Sequence, residues 1–298
     1  MDNKVLSSIL KKKLIETFDY TIKFLEKYNL RWYVSSGTAI GAVRHHDIIP
    51  WDDDIDIFLP REDYDKFLEL SKKMDERKYK LYSYYDEGYY HPYYKVVDMN
   101  TTIWEDRLKP CVLGVYVDVF PLEDTNVTPE EYDFIHEDCN KKLKLWYRSL
   151  SIPTLNTFID LLLHARLKSV LFVIENAFYY RWRRKHYLKQ YIAAHERYYQ
   201  PNGIYYTHAF GFGGGEKDIY PKDWFANVVK MPFNRIIVNV PAGYHEYLTQ
   251  VFGDYMTPPP IDKRVDTHGE SRFYINLKER LDIKEIERRV SKGVTREY

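Results

Sequence analysis

The 298-residue chain has little cysteine: Cys111 and Cys139 are its whole complement. Two thiols are too few for a disulfide framework or a zinc-ligand set, and a reducing compartment is the default. Net charge is also missing, since 44 Lys+Arg balance 44 Asp+Glu, so no overall basic field argues for a nucleic-acid partner. The most apolar stretch, "SVLFVIENAFYY", is too short to span a bilayer and contains Glu175. The opening residues "MDNKVLSSILKKKLIETF" lack the apolar core and cleavage pattern of a signal peptide. No Walker A sequence is present, which argues against a P-loop enzyme. The expectation is a cytoplasmic, soluble protein, at most peripheral at the inner face of the membrane.

Apolar residues make up 45% of the chain and charged residues 30%, an ordinary globular composition with enough length for a sizeable core. Leu6, Ile9, Leu10, Leu14, Phe18, Ile22 and Leu25 recur at helical steps. "RWYVS" reads as a short strand, and a helix can start at Gly37-Thr38. "DIDIFL" alternates with period two, as a strand with one polar face does, and Pro60 suits the start of a helix over "REDYDKFLELSKK". Further strands are expected at "KYKLYSYY", "YYKVVD", "TTIWE" and "GVYVDVF". After Pro129 the character turns helical to about Tyr199, "FGFGGGEKD" reads as a flexible loop, and "VVKMPFNRIIVNVP" returns to strand. The predicted class is α+β, with a largely helical second region, a short β return and a tail.

Four aspartates, Asp52, Asp53, Asp54 and Asp56, fall within five positions of "PWDDDIDIFLP". Like charges repel, and partial burial makes them costlier still. On a strand Asp54 and Asp56 share a face, with α-carbons roughly 6.5–7 Å apart. Asp118 lies among Val115, Val117 and Val119 in a second strand, where a lone carboxylate needs a cation or donors. Side by side, Asp54, Asp56 and Asp118 make an all-oxygen site for hard divalent metal: Mg2+, as a pair of ions, with Mn2+ as the alternative. The bland alternative is aspartates that begin and end strands at solvent, and it is the better reading for Asp52 or Asp53 alone, although Asp52 joins the Asp54 and Asp56 face if the strand starts early. Upstream, "SSGTAIGAVRHH" offers a phosphate cradle. Gly37 allows close backbone approach, Ser36 and Thr38 supply hydroxyl donors, and Arg44 can hold a phosphate bidentately.

The pattern "GTAIGAVRH…IPWDDDIDIFLPREDY" resembles the LicD family, a branch of the nucleotidyltransferase-fold superfamily. "YYKVVDMNTT", "VYVDVFPLED", "YLTQVFGDYMTPPP" and "KRVDTHG" are also LicD-like, and the resemblance runs from about residue 25 to 270. It implies a nucleotidyltransferase-like mixed sheet flanked by helices. With the order of elements read above, the expected division is a nucleotidyltransferase-like catalytic core over 1–128, a partly basic helical region over 129–200, and a β return over 201–298 with the LicD-type C-terminal motif completing the site. Within the helical region the stretch from about 150 to 200 matches no LicD motif. The resemblance implies transfer of a phospho-alcohol, typically phosphocholine, from a CDP-alcohol donor to a glycan or lipid-linked glycan acceptor, releasing CMP. Relatives of the fukutin type use CDP-ribitol. By the resemblance Asp54 and Asp56 hold metal, and Asp118 ligates it or takes the acceptor's proton. Lys95 neutralises diphosphate charge, its bland version being a surface lysine paired with Asp98. Asp254 and His268 sit in the C-terminal motif that closes over the site. A nucleotidyltransferase placing NMP from an NTP on a small acceptor, and a non-catalytic member of the fold, are the alternatives.

Two features remain outside the motif. The window 141–189 holds eleven Lys/Arg against Asp160 and Glu175, which suits an anionic partner, including peripheral contact with a membrane, or simply a solvated face. Tyrosine is abundant, 29 residues with runs such as "YSYYDEGYYHPYY". Aromatic cages hold quaternary ammonium groups, but half-buried strands carry packing tyrosines just as readily.

Overall fold

The apolar stripe at the N-terminus forms helix α1 (Asn3–Lys27), which buries Leu10, Leu14, Phe18, Ile22 and Leu25 against the sheet. The structure, a computed structural model, describes residues 3–164, 166–211, 213–264 and 272–298. A two-residue strand β1 (Tyr33–Val34) leads into α2 (Ser36–Ile40), and one π-helical turn over Gly41–His45 continues it. Strand β2 (Asp56–Pro60) passes through Pro60 directly into α3 (Arg61–Leu70), as the fixed φ of proline allows. Three short strands follow: β3 (Tyr79–Tyr82), β4 (Tyr94–Asp98) and β5 (Thr102–Trp104). The long β6 (Tyr116–Thr125) is buried along almost its whole length.

The helical region opens with α4 (Pro129–Ser149), whose Thr128 and Glu131 form a reciprocal capping box. It continues through α5 (Leu155–Leu163), α6 (Leu167–Glu175) and α7 (Arg184–His195). Helix α4 packs on α7, burying Tyr132, Ile135 and Cys139 with Tyr191, Ala194 and Tyr198. Both cysteines are free and buried.

Strand β7 (Tyr205–Thr207), the short α8 (Gly215–Asp218) and β8 (Ile219–Pro221) come next. The glycine-rich loop expected to be flexible is pinned here. Asp218 is buried, its carboxylate accepts from Gly213 N–H at 2.9 Å, and it receives the Tyr132 and Tyr220 hydroxyls. A hairpin of β9 (Val228–Phe233) and β10 (Ile236–Pro241) turns at Asn234, whose φ of 54° suits asparagine. Then α9 (Tyr244–Phe252) stops at Gly253, with φ 69°. The expected tail is instead folded: β11 (Tyr274–Asn276), α10 (Ile283–Val290) and β12 (Arg296–Glu297).

Among the described residues the main sheet has seven strands, with β1-β2-β6-β4-β3 in line and β7 and β8 attached at the far half of β6. The β2–β6 pair is parallel and its other pairs are antiparallel. A mixed sheet flanked by helices confirms the α+β class. A smaller sheet, β12-β11-β5, joins the C-terminal residues to the first half of the chain.

Candidate active site

The register of the main sheet fixes the centre. Asp56 pairs with Asp118 across β2–β6, and Asp118 pairs with Lys95 across β6–β4. Directly paired residues share a face, and adjacent strands lie about 4.8 Å apart. Asp56, Asp118 and Lys95 therefore form one row. The flanking positions Ile55, Ile57, Val117 and Val119 are fully buried, which rules out a one-residue slip that would turn the carboxylates into the core. The Lys95 ammonium donates to Asp118 Oδ1 at 2.6 Å and is itself 1% exposed. It lies 3.5 Å from the Tyr116 ring centre and 5.3 Å from that of Tyr93. The surface pairing of Lys95 with Asp98 is thus replaced by a buried pairing with Asp118.

The Gly-Thr turn is tied to the same strand. Asp56 N–H donates to Thr38 Oγ1 at 2.9 Å, and Ser35 N–H donates to the Asp56 carbonyl at 3.0 Å. Ser36 takes a φ of 49°, and its N–H donates to the Tyr247 hydroxyl at 3.0 Å. Gly37 is required by crowding, because a Cβ there would stand 2.7 Å from Asp52 Oδ2. Asp52 consequently belongs to the cluster as well, leaning over the turn.

Electrostatics mark the cluster as short of positive charge. Burial, reinforced by Asp54, pushes the Asp52 carboxyl up to about 8. Burial and the charges of Asp54, Asp118 and Asp52 raise Asp56 well above the usual carboxylate range, Lys95 opposing. Asp118 is pushed up to about 6 by burial, with Lys95 pulling it back. Asp53 faces elsewhere and meets Arg272, whose Nη1 lies 2.5 Å from its Oδ2 with both side chains buried. Among the described residues no three His, Cys, Asp or Glu side chains stand in a ready-made ligating arrangement. The donor set nonetheless fits a hard cation. It consists of oxygens only, converging and desolvated, with several acids facing one lysine.

A cleft of about 720 Å³ opens on the row, lined by Asp54, Asp118, Lys95, Tyr93, Tyr116 and Phe273 among others. Glu105 anchors its wall. The Tyr116 hydroxyl donates to Glu105 Oε1 at 2.6 Å, and the Tyr90 hydroxyl and His91 Nε2–H donate to Oε2. Burial works against the Glu105 charge, yet His91, Lys95 and Tyr116 hold its carboxyl well below the usual range. His91, pushed down to about 4 by burial and Lys95, is a neutral donor.

The remaining expected residues fall at or beyond the edge. Arg44 donates from Nη1 to the Tyr255 carbonyl and from Nε to His45 Nδ1 at 3.3 Å. It links the turn to the C-terminal motif, and burial together with Arg264 lowers its pKa. Asp254 is exposed, and its carboxylate accepts from Thr257 N–H at 3.2 Å, so it shapes the turn after Gly253 and is not brought into the carboxylate row. His268 lies outside the described residues. Sequence reasoning left open whether Asp52 joins the cluster, and it missed Glu105, Tyr116, Tyr247 and Arg272. Of these only Glu105, an acid ending the apolar run "TTIW", carried a local signal.

Residues 29–150 match the LicD/FKTN/FKRP nucleotidyltransferase domain. That span includes Ser36, Gly37, Thr38, Arg44, Asp54, Asp56, Lys95 and Asp118. The chain carries a LicD-family nucleotidyltransferase domain. The likeness to one LicD protein extends well past it. The lipopolysaccharide cholinephosphotransferase LicD of Haemophilus influenzae is 27% identical over 270 residues, 88% of this chain and 95% of the relative. The ribitol 5-phosphate transferase FKRP of Homo sapiens is 42% identical over 52 residues, 17% of this chain and 10% of the relative. An uncharacterized Rickettsia prowazekii protein is 51% identical over 43 residues, 14% of this chain and 16% of the relative. The LicD domain accounts for the Gly-Thr turn and the Asp56–Asp118 pair. The wall of the cleft at Phe273 and the clamp at Arg272 lie beyond it in sequence.

Proposed function

We propose that this protein is a LicD-type phosphotransferase that moves a phospho-alcohol group, phosphocholine first among the candidates, from a CDP-activated donor to a hydroxyl of a lipopolysaccharide-type glycan. The observation that carries the reading is the Asp56–Asp118–Lys95 row beside the Gly-Thr turn, inside the LicD domain of a chain that aligns along most of its length with a lipopolysaccharide cholinephosphotransferase. An acceptor oxygen attacks the distal phosphorus. The new oxygen–phosphorus bond forms as the bond from that phosphorus to the bridging oxygen breaks, and CMP carries away the electron pair. Asp118, held near neutrality by burial and Lys95, takes the acceptor's proton on its carboxylate. Lys95 offsets phosphate charge inside a wall of low polarity, where such pairing counts for more than in water. Backbone N–H groups and the Ser36 and Thr38 hydroxyls orient the phosphates.

Asp54 and Asp56 would hold Mg2+, or Mn2+ in its place, and Asp118 would complete the ligand set where it does not serve as the base. Bound there, the cation neutralises the diphosphate and makes CMP a better leaving group. The test is incubation of the full chain with magnesium, a lipooligosaccharide acceptor and CDP-choline, with CDP-ribitol as the second donor. CMP release coupled to acceptor modification is expected, and chelation should stop it. Pyrophosphate release from an NTP, with neither CDP-alcohol consumed, would overturn the reading in favour of nucleotidyl transfer.

A further inference from the structure

The helical region exposes far more apolar surface than its surroundings. Among the described residues, ten of the twenty-one exposed large hydrophobic side chains fall between Leu155 and Trp182. Helix α6 shows why. Val170 and Val173 turn inward and pack with Leu161 of α5. Leu167, Leu171, Ile174 and Phe178 recur at steps of four, three and four, and all are exposed. Leu163 is 78% exposed, Phe178 80% and Trp182 88%. A helix pair that is apolar on both faces needs a second apolar medium for the outer one.

The border of this face is cationic. Arg166, Lys168, Arg181, Arg183 and Lys185 are exposed, and none pairs with a carboxylate among the described residues. The acids within the region are already engaged: Asp160 with Arg107 at 2.9 Å, and Glu175 with Arg148 at 2.7 Å. No described helix is long and apolar enough to cross a membrane. An apolar face ringed by unpaired cations is the chemistry of a segment that lies in the headgroup layer.

We infer that the outer face of α5, α6 and the following turn through Trp182 docks on an anionic lipid bilayer, with the apolar stripe entering the acyl boundary and the cations meeting lipid phosphates. A second copy of the chain fits less well, because pairing two such faces brings two cationic borders together with no unengaged carboxylate in the region to offset them. The inference stands apart from the reading of the carboxylate site, since no residue is shared. It places the protein where lipid-linked acceptors are held.

The test is flotation of the full-length protein with phosphatidylglycerol/phosphatidylethanolamine vesicles and with phosphatidylcholine vesicles, at low and high salt. Expected are binding to the anionic vesicles only, weakening with salt, and a blue shift of Trp182 emission that Trp182→Phe removes. A Leu171→Ser/Phe178→Ser/Trp182→Ser variant should lose affinity about tenfold or more. An Arg181→Gln/Arg183→Gln/Lys185→Gln variant should lose roughly a hundredfold. Unchanged circular dichroism and melting temperature in both variants would show that the fold is intact. The inference fails if the wild type stays unbound or prefers neither lipid, or if both variants float as the wild type does. It fails equally if sedimentation velocity finds a wild-type dimer that the serine variant dissolves.

Discussion

Asp56 is the residue on which the chemistry turns, because its backbone is fixed from two sides while its carboxyl is raised by burial and by three neighbouring acids. Asp56→Asn should lower the rate of CMP release by at least about a hundredfold, with a melting temperature equal to or above that of the wild type. Wild-type turnover would remove Asp56 from the reaction. Asp52 allows a second check through proton linkage. Its folded pKa of about 8 lies above the ordinary aspartate value, so the protonated form favours folding. That contribution is complete below about pH 4 and is lost as pH rises through 8. Relative to the wild type, Asp52→Asn should therefore raise the melting temperature of metal-free protein more at pH 8 than at pH 5. A pH-independent difference would mean that Asp52 is not held protonated in the fold.

At the scale of elements, the joint between α2 and β2 rests on one hydroxyl. Thr38→Val leaves the Asp56 N–H without its acceptor, and an orphaned buried donor costs about 1–3 kcal/mol. Denaturant unfolding should show that loss, and activity should fall as the aspartate drifts. Thr38→Ser, which keeps the oxygen, should restore both. Much of this joint was legible in the sequence. Period-two alternation around Asp54 and Asp56, the Gly-Thr turn and the valine-rich setting of Asp118 each had a local pattern. The turn and the strand of Asp118 lie where those patterns put them, whereas β2 begins only at Asp56 and Asp54 precedes it. The pairing of Lys95 with Asp118 was not legible, because it depends on the register of β4 against β6. The place of Asp52 stayed open for a related reason, since it depends on the close approach of Gly37. The strand at Tyr274–Ile275–Asn276 also escaped, being three residues long and paired with strands distant in sequence or at the chain's end, β5 and β12.

The whole molecule is held together at the site by contacts of long sequence separation. The buried pair Asp53–Arg272 spans 219 residues, and β5 pairs with β11 across a shorter but still long interval. Arg272→Met removes the guanidinium that neutralises Asp53 and should cost about 3–5 kcal/mol in chemical denaturation. Loss of activity is expected with it, because Arg272 also lies 5.9 Å from the Tyr116 ring that flanks Lys95. An Asp53→Leu/Arg272→Met double variant should recover most of the stability, as burial of two matched apolar groups replaces an ion pair. If the double variant is as unstable as the single one, the pair is not the source of the cost.

That bridge also sets an order of events during synthesis. A chain emerging from the ribosome presents the aspartate loop long before its arginine has been made, and β5 also waits for its outer neighbour. The first half carries the strands of the aspartate row, but the cleft wall at Phe273 and the charge balance at Asp53 arrive only with the last stretch to be translated.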